Sequence, residues 1–180
     1  DVVVLCPQDP GEIRSAVKAM LEHNGPVYMR IGNPPIEELW EEKEFTIGKG
    51  TVLSDGKDLT LISTGSITAN VLRAAKILEE KGVSVMVIGM PTISPIDKEL
   101  ICKAAEKTGK IMTVEEHYVH GGLGSSVSDV CSECCPVPIK MHGVKHEYAT
   151  SGPYEELLQY YHLDPEGIAK EAEEFLTKWR

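Results

Sequence analysis

Glu115, Glu116, His117 and His120 stand almost side by side in the sequence. Two carboxylates and two imidazoles at one place could move protons to and from a substrate. The same groups could instead satisfy the amides of a structural loop, or face a neighbouring subunit. The residue types alone leave these readings open. Gly121, Gly122 and Gly124 follow at once. Each supplies a positive φ or lets backbone pass close to backbone.

Three other places carry chemistry-bearing types. Cys131 and Cys134, with His142 and His146, are zinc-type ligands. Their two pairs lie closer together than in the usual finger, and Cys131 and Cys134 would share a helix face as small hydrophobes. No metal is expected there. Thr64-Gly65-Ser66 lies between a strand and a helix, where backbone N–H groups can hold an anion. It is neither a Walker loop nor a dinucleotide fingerprint, and the plainer reading is a tight turn with a Ser N-cap. Arg30 ends an apolar strand. Taken alone it is one surface cation, with Glu37 or Glu38 as a nearby ion-pair partner.

The elements that position these groups alternate. Residues 2–5 read as a strand. Asp9 caps a helix with Pro10 at its first position and Glu12 behind it. Ile13, Val17, Met20 and Leu21 make that helix's inward stripe, and Asn24-Gly25 ends it. Residues 26–31 are a second strand. So small a strand–helix–strand unit cannot bury its own sheet, so it reads as the end of a larger domain. Residues 32–45 form a linker, stiffened by Pro34-Pro35 and solvated by Glu37, Glu38, Glu41, Glu42 and Glu44. Trp40 and Phe45 pin it down.

Residues 46–180 form a second, complete unit. Residues 51–54 and 59–63 flank Asp55-Gly56, which predicts a hairpin and one antiparallel strand. A helix with Val71, Leu72, Ala75 and Leu78 inward stops at Gly82. Residues 83–88 are a buried strand. Ser94-Pro95-Ile96-Asp97 predicts a capping box with Pro at the first helical position. Residues 111–114 suit a buried parallel strand, after which the chain turns polar into a loop. Leu123, Val127 and Val130 resume helical spacing. A short strand, 138–141, follows. Ser151-Gly152-Pro153 opens a short helix carrying Leu157 and Leu158. Asp164-Pro165 starts the last helix, with Ile168, Ala172, Phe175 and Trp179 at helical spacing. Strands alternating with helices predict a three-layer α/β/α unit with a mostly parallel sheet. In such sheets ligand sites gather beyond the strands' carboxyl ends, where Glu115 to His120 fall.

The chain has 180 residues, 42% hydrophobic and 26% charged, with a net charge of −10. Its acidity disfavours nucleic acid and anionic membranes as partners. No run approaches the roughly 20 apolar residues of a membrane span. The five cysteines and no visible secretory signal suggest free thiols in a reducing cytoplasm. The chain opens at Asp1 in what reads as a strand already under way, which suggests a longer parent polypeptide.

The string TVEEHYVHGGLGSSV resembles the "EEH…GGLGS" signature of the C-terminal domain of transketolase-like, thiamine-diphosphate-dependent enzymes. The resemblance runs over nearly the whole chain and is nearest the C-terminal section of split, two-subunit transketolases. It implies a parent enzyme of the pentose phosphate pathway that moves a two-carbon ketol unit between sugar phosphates. It implies thiamine diphosphate and a divalent metal in that parent, a companion section carrying the diphosphate-binding domain, and homodimer contacts. Residues 1–31 would end the pyrimidine-binding domain, and 46–180 would be the C-terminal domain. Glu115, Glu116, His117, His120 and the three glycines then become structural or interface residues. Arg30 matches the arginine that contacts substrate phosphate. This chain has Gly32-Asn33 where many split transketolases have Gly-Arg. It lacks a GDG…N motif and the cofactor-activating glutamate, so no catalytic residue, no bound cofactor and no activity are expected of it alone. A 2-oxoacid dehydrogenase beta subunit and a deoxyxylulose-phosphate synthase share these motifs. A stand-alone anion-binding or dimerisation module is the reading from another class.

Overall fold

The structure, a computed structural model, describes residues 2–32, 36–41, 44–145 and 148–179. The expectations placed on Asn33, Pro34-Pro35, Glu42 and His146 lie outside these residues.

The centre of the molecule is a five-stranded sheet. Its strands are β3 (Thr51–Ser54), β4 (Leu59–Ser63), β5 (Val85–Gly89), β7 (Ile111–Tyr118) and β8 (Ile139–Val144). They lie in the order β3-β5-β4-β7-β8. β5, β4, β7 and β8 run parallel, and β3 is antiparallel at the edge. Every residue of β4 and β5 is buried, as expected of strands covered on both faces. Helices α2 (Thr68–Glu80), α5 (Tyr154–Tyr160) and α6 (Pro165–Lys178) cover one face, with Val71, Leu78, Ile168 and Phe175 in its core. Helices α3 (Lys98–Thr108) and α4 (Leu123–Cys134) cover the other, around Ile101, Leu123, Val127 and Val130. The three-layer architecture and the single antiparallel strand are as the sequence predicts. Trp179, placed in the last helix's stripe, is 46% exposed instead.

The Asp55-Gly56 hairpin does not form. β3 pairs with β5 rather than with the next strand. The turn instead crosses the start of β5, where the Lys57 and Asp58 N–H groups donate to Ser84 O. A Cβ on Gly56 would sit 2.2 Å from Val85 backbone. Glycine is required there for close passage, not for a hairpin turn.

A second, three-stranded sheet has the order β2-β1-β6. β1 (Val3–Leu5) pairs in parallel with β2 (Val27–Met29) across α1 (Pro10–Glu22). β6 (Thr92–Ser94), which the sequence pattern did not mark, pairs antiparallel with β1. It comes from inside the 46–180 unit, so the N-terminal segment is hydrogen-bonded to that unit. Ser94 is therefore the end of a strand rather than a helix cap. α3 starts later, with Asp97 as N-cap accepting from the Leu100 N–H at 3.1 Å.

Asp9 is fully buried and caps α1 through the Glu12 N–H at 2.7 Å. Its second oxygen accepts from the Leu39 and Trp40 N–H groups. Phe45 packs on Val3, Leu5 and Ala16. The expected α1 stripe holds only in part, because Val17 and Leu21 are 40% and 83% exposed. Ala16 and Met20 meet the small sheet, and three short strands are too narrow to cover the rest of the helix. Among the described residues no helix is long and apolar enough to cross a membrane.

Candidate functional site

β7 runs four residues further than the apolar pattern indicates, to Tyr118. Glu115, Glu116 and His117 are therefore strand residues, not a loop. Pairing with β8 becomes irregular between Val114 and Tyr118. Gly143 of β8 permits this, since a Cβ there would lie 2.6 Å from Glu115 O and 2.9 Å from His117 O. An isolated glycine inside a strand pattern is the signal that could have marked it.

Strand alternation separates the two glutamates. Glu115 is wholly buried. The Leu123 and Gly124 N–H groups donate to its two oxygens, both at 2.8 Å. His117 Nε2 donates to the same carboxylate at 2.8 Å. Glu115 thus caps α4 from the neighbouring strand and supplies the negative charge that a helix N-terminus favours. Two of its three donors belong to that cap, and the third is His117 on its own strand. Gly122 leaves room for it, because a Cβ would sit 2.1 Å from Glu115 Oε2. A Cβ on Gly124 would lie under 3.0 Å from Thr113 and Met141 side-chain atoms, so glycine lets α4 pack close there. Gly121 alone of the three has positive φ, at 82°.

Glu116 points elsewhere. Arg30 Nη1 donates to its Oε1 at 3.1 Å, and the Tyr154 hydroxyl donates to its Oε2 at 2.7 Å. Arg30 comes from just beyond β2 and Tyr154 from the start of α5. Three separate segments therefore meet at one carboxylate. Burial, helped by the hydrogen bond to Glu116, pushes the Tyr154 hydroxyl well above its usual range. Burial opposes the Arg30 charge, but Cys6 and Glu116 outweigh it, so its ionisation lies above the ordinary value. Cys6 Sγ is 3.9 Å from Arg30 Nη1, and burial raises its thiol pKa. The expected partners of Arg30 are engaged elsewhere: Glu37 pairs with Arg73 at 2.7 Å and Glu38 with Arg14.

Arg30 borders a cleft of about 250 Å³ between the small sheet and the β7–α4 turn. Cys6, Tyr28, His117, His120 and Gly121 also line it. The walls are mainly apolar and the polar groups few, the usual make-up of a small-molecule site. His117 and His120 thus join Arg30 at one cleft, while Glu115 and Glu116 hold its walls from behind.

The other candidates are taken up by structure. The Gly65 N–H donates to Cys6 O at 3.1 Å, so the Thr64-Gly65-Ser66 turn commits that amide to the N-terminal segment. Ser66 is no N-cap; it lies within a 3-10 turn, Gly65–Ile67, that makes no side-chain cap bond. His142 Nε2 lies 2.7 Å from His162 O. Among the described residues no three His, Cys, Asp or Glu side chains group as metal ligands.

The family model "Transketolase, C-terminal domain" matches residues 48–168. The chain belongs to that family. It is 41% identical, over 97% of its length, to one subunit of the apulose-4-phosphate transketolase from Phocaeicola vulgatus. It is 39% identical, over 99%, to a putative transketolase C-terminal section from Methanocaldococcus jannaschii. It covers 56% and 57% of those proteins, a little over half of each. A solved structure described as "Split gene transketolase, inactive beta4 tetramer" superposes with a TM-score of 0.92 at 38% identity, covering 98% of this chain and 57% of that one. A 1-deoxy-D-xylulose-5-phosphate synthase from Geobacter sulfurreducens is 33% identical over 98% of this chain, but only 28% of that protein is covered. The transketolase C-terminal fold therefore sits in the five-stranded unit. Cys6 and Tyr154, which no sequence motif singles out, are what join Arg30 and Glu116 to it.

Proposed function

We propose that this chain is the C-terminal section of a split transketolase-like transferase, which moves a two-carbon ketol unit between sugar phosphates. In this reading it works with a companion section that carries the diphosphate-binding domain. The observation that carries the reading is the position of Arg30. Its charged guanidinium stands at the carboxyl end of β2, on the rim of the cleft beside the β7–α4 turn. A planar guanidinium is suited to a substrate phosphate. In this reading the chain binds and orients substrate; among the described residues no three His, Cys, Asp or Glu side chains group as metal ligands, and the companion section would supply the ligands for thiamine diphosphate and its metal. Those groups belong to the assembled enzyme. Glu115, Glu116 and the glycines hold the cleft in shape and contribute to subunit packing.

The deciding experiment assembles the chain with its companion and supplies a ketose phosphate donor and an aldose phosphate acceptor. Two-carbon transfer dependent on thiamine diphosphate, absent with the chain alone, is the expected result. With pyruvate offered in place of the ketose phosphate, release of CO2 and formation of deoxyxylulose phosphate would favour the synthase reading, which the Geobacter relative supports. Ketol transfer by the chain alone would overturn the division of labour.

A further inference from the structure

Four of the five cysteines meet where α3 packs on the end of α4. Cys102 lies on α3, Cys131 and Cys134 on the last turns of α4, and Cys135 is its C-cap residue. The Cys135 and Cys102 sulfurs lie 2.8 Å apart. Cys134 is exposed, Cys102 is partly so, and Cys131 and Cys135 are buried. Cys6 lies apart, beside Arg30. We infer that Cys102 and Cys135 form a reversible thiol–disulfide site, entered through the exposed Cys134 and driven by low-molecular-weight disulfides.

The two sulfurs already touch. A disulfide has an S–S distance of about 2.05 Å, so the pair need approach by less than about 1 Å. Cys135 belongs to the core cluster between α3, α4 and the sheet and Cys102 packs against it, so the approach is a sub-ångström shift within that cluster. The pair is quiet at rest. The hydrogen bond that the Cys102 thiol makes to Cys135, then burial, pushes Cys102 up to about 11. Burial raises Cys135 too. Both therefore stay protonated near neutral pH, and a protonated thiol is a poor nucleophile. Cys134 is the thiol that a small disulfide in solution can reach.

The exchange balances in three steps. Cys134 loses its proton to solvent, and its thiolate attacks a small disulfide RSSR. One Cys134–SR bond forms and one RS⁻ leaves to take up a proton. Cys102, deprotonated in turn, attacks the Cys134 sulfur and expels the second RS⁻. Cys135 then attacks the Cys102 sulfur and returns Cys134 to its thiol. Two protein thiols have been oxidised and one RSSR reduced to two RSH. The new bond closes a loop whose ends are 33 residues apart. That loop contains β7, Glu115, Glu116, His117 and the turn into α4. The bond therefore fixes the strand and helix that form one wall of the cleft.

The test uses the whole chain, reduced and then incubated with oxidised glutathione at neutral pH. The expected product is a species lighter by about 2 Da whose peptide map links Cys102 to Cys135. Closing such a loop should raise the melting temperature by roughly 5–15 °C. Cys134→Ser should slow formation of the same product, and Cys6→Ser should leave it unchanged. Cys102→Ser should stop at a glutathione adduct on Cys134. A map linking any other pair, or a wild-type chain that stops at glutathione adducts or keeps all its thiols, overturns the site. An oxidised chain that melts with the reduced one overturns the fixing of the wall.

Discussion

Arg30 Nη1 lies 3.1 Å from Glu116 Oε1, although 86 residues separate them in the chain. One is the proposed phosphate cation, and the other belongs to the signature segment TVEEHYVHGG. Their pairing ties the N-terminal segment to the C-terminal domain at the rim of the cleft. The Arg30 side chain keeps 34% of its surface exposed, while Glu116 keeps 9%. The carboxylate acts as a fixed post that aims a guanidinium still open to solvent.

Arg30→Ala in the assembled enzyme should raise KM for phosphorylated sugars. Loss of a charge-assisted hydrogen bond is worth roughly 1.5–3 kcal/mol, about ten- to a hundredfold. If the contact is equal in ground and transition states, kcat should change little. Unphosphorylated acceptors should lose much less. Equal losses for both substrate types would reduce Arg30 to a structural partner of Glu116.

Glu116→Gln separates aiming from attraction. The amide can keep its oxygen toward Arg30 while its NH₂ donates to the Tyr154 hydroxyl oxygen, and the change removes a negative charge next to the proposed phosphate. KM for phosphorylated substrates should hold or fall, and the fall should shrink as salt is raised. A KM rise as large as that of Arg30→Ala would show that the charge of Glu116, not its position, matters.

How much of this was legible in sequence follows from range. Asp9 with Pro10 and Glu12 is a local signal, and the cap forms as read. The layers were legible because fully buried strands alternate with helical stripes. Glu115 was not. Whether a strand carboxylate faces water or a neighbouring helix end depends on where strand β7 stops, and the polar residues concealed its last four positions. The Arg30–Glu116 pair needed the docking of β1 on β6, a contact between three-residue strands. Asp55-Gly56 misled because a turn dipeptide specifies a local bend, not which strand lies beside it.

Glu115→Gln should destabilise the domain. Only one amide oxygen can accept, so the Leu123 or Gly124 N–H must lose its buried partner, and the NH₂ faces a donor. A buried unsatisfied group costs about 1–3 kcal/mol, or roughly 2–12 °C in a chain of this size. Circular dichroism melts give the value. An unchanged Tm would remove Glu115 from its place as the cap of α4.

The glycines of the turn should separate by mechanism. Gly121 has φ of 82° and open space around a Cβ, so Gly121→Val strains only the backbone, by about 1–3 kcal/mol. Gly121→Asn should recover much of that, because Asn tolerates the left-handed region. Gly122 has φ of −104° and no room, with Glu115 Oε2 at 2.1 Å from a Cβ. Gly122→Asn should therefore be as damaging as Gly122→Val. Asn tolerated at both positions would show that Glu115 and His117 move aside freely.

His142 sets the expected response to acid. It is 5% exposed, and its Nε2–H donates to the His162 carbonyl oxygen. Burial lowers its pKa below the ordinary histidine value of 6.5. The unfolded chain therefore binds this proton at a higher pH than the folded one. The contribution to stability is fully present above pH 6.5 and is lost as pH falls through the folded value. Urea denaturation of the wild-type chain should show stability falling from about pH 7 toward about pH 5. His142→Asn keeps an N–H donor but does not titrate. Its stability near neutral pH should be lower, and its decline into acid shallower than that of the wild type. Parallel declines for the two proteins would place the acid sensitivity in other groups and leave His142 without a part in it.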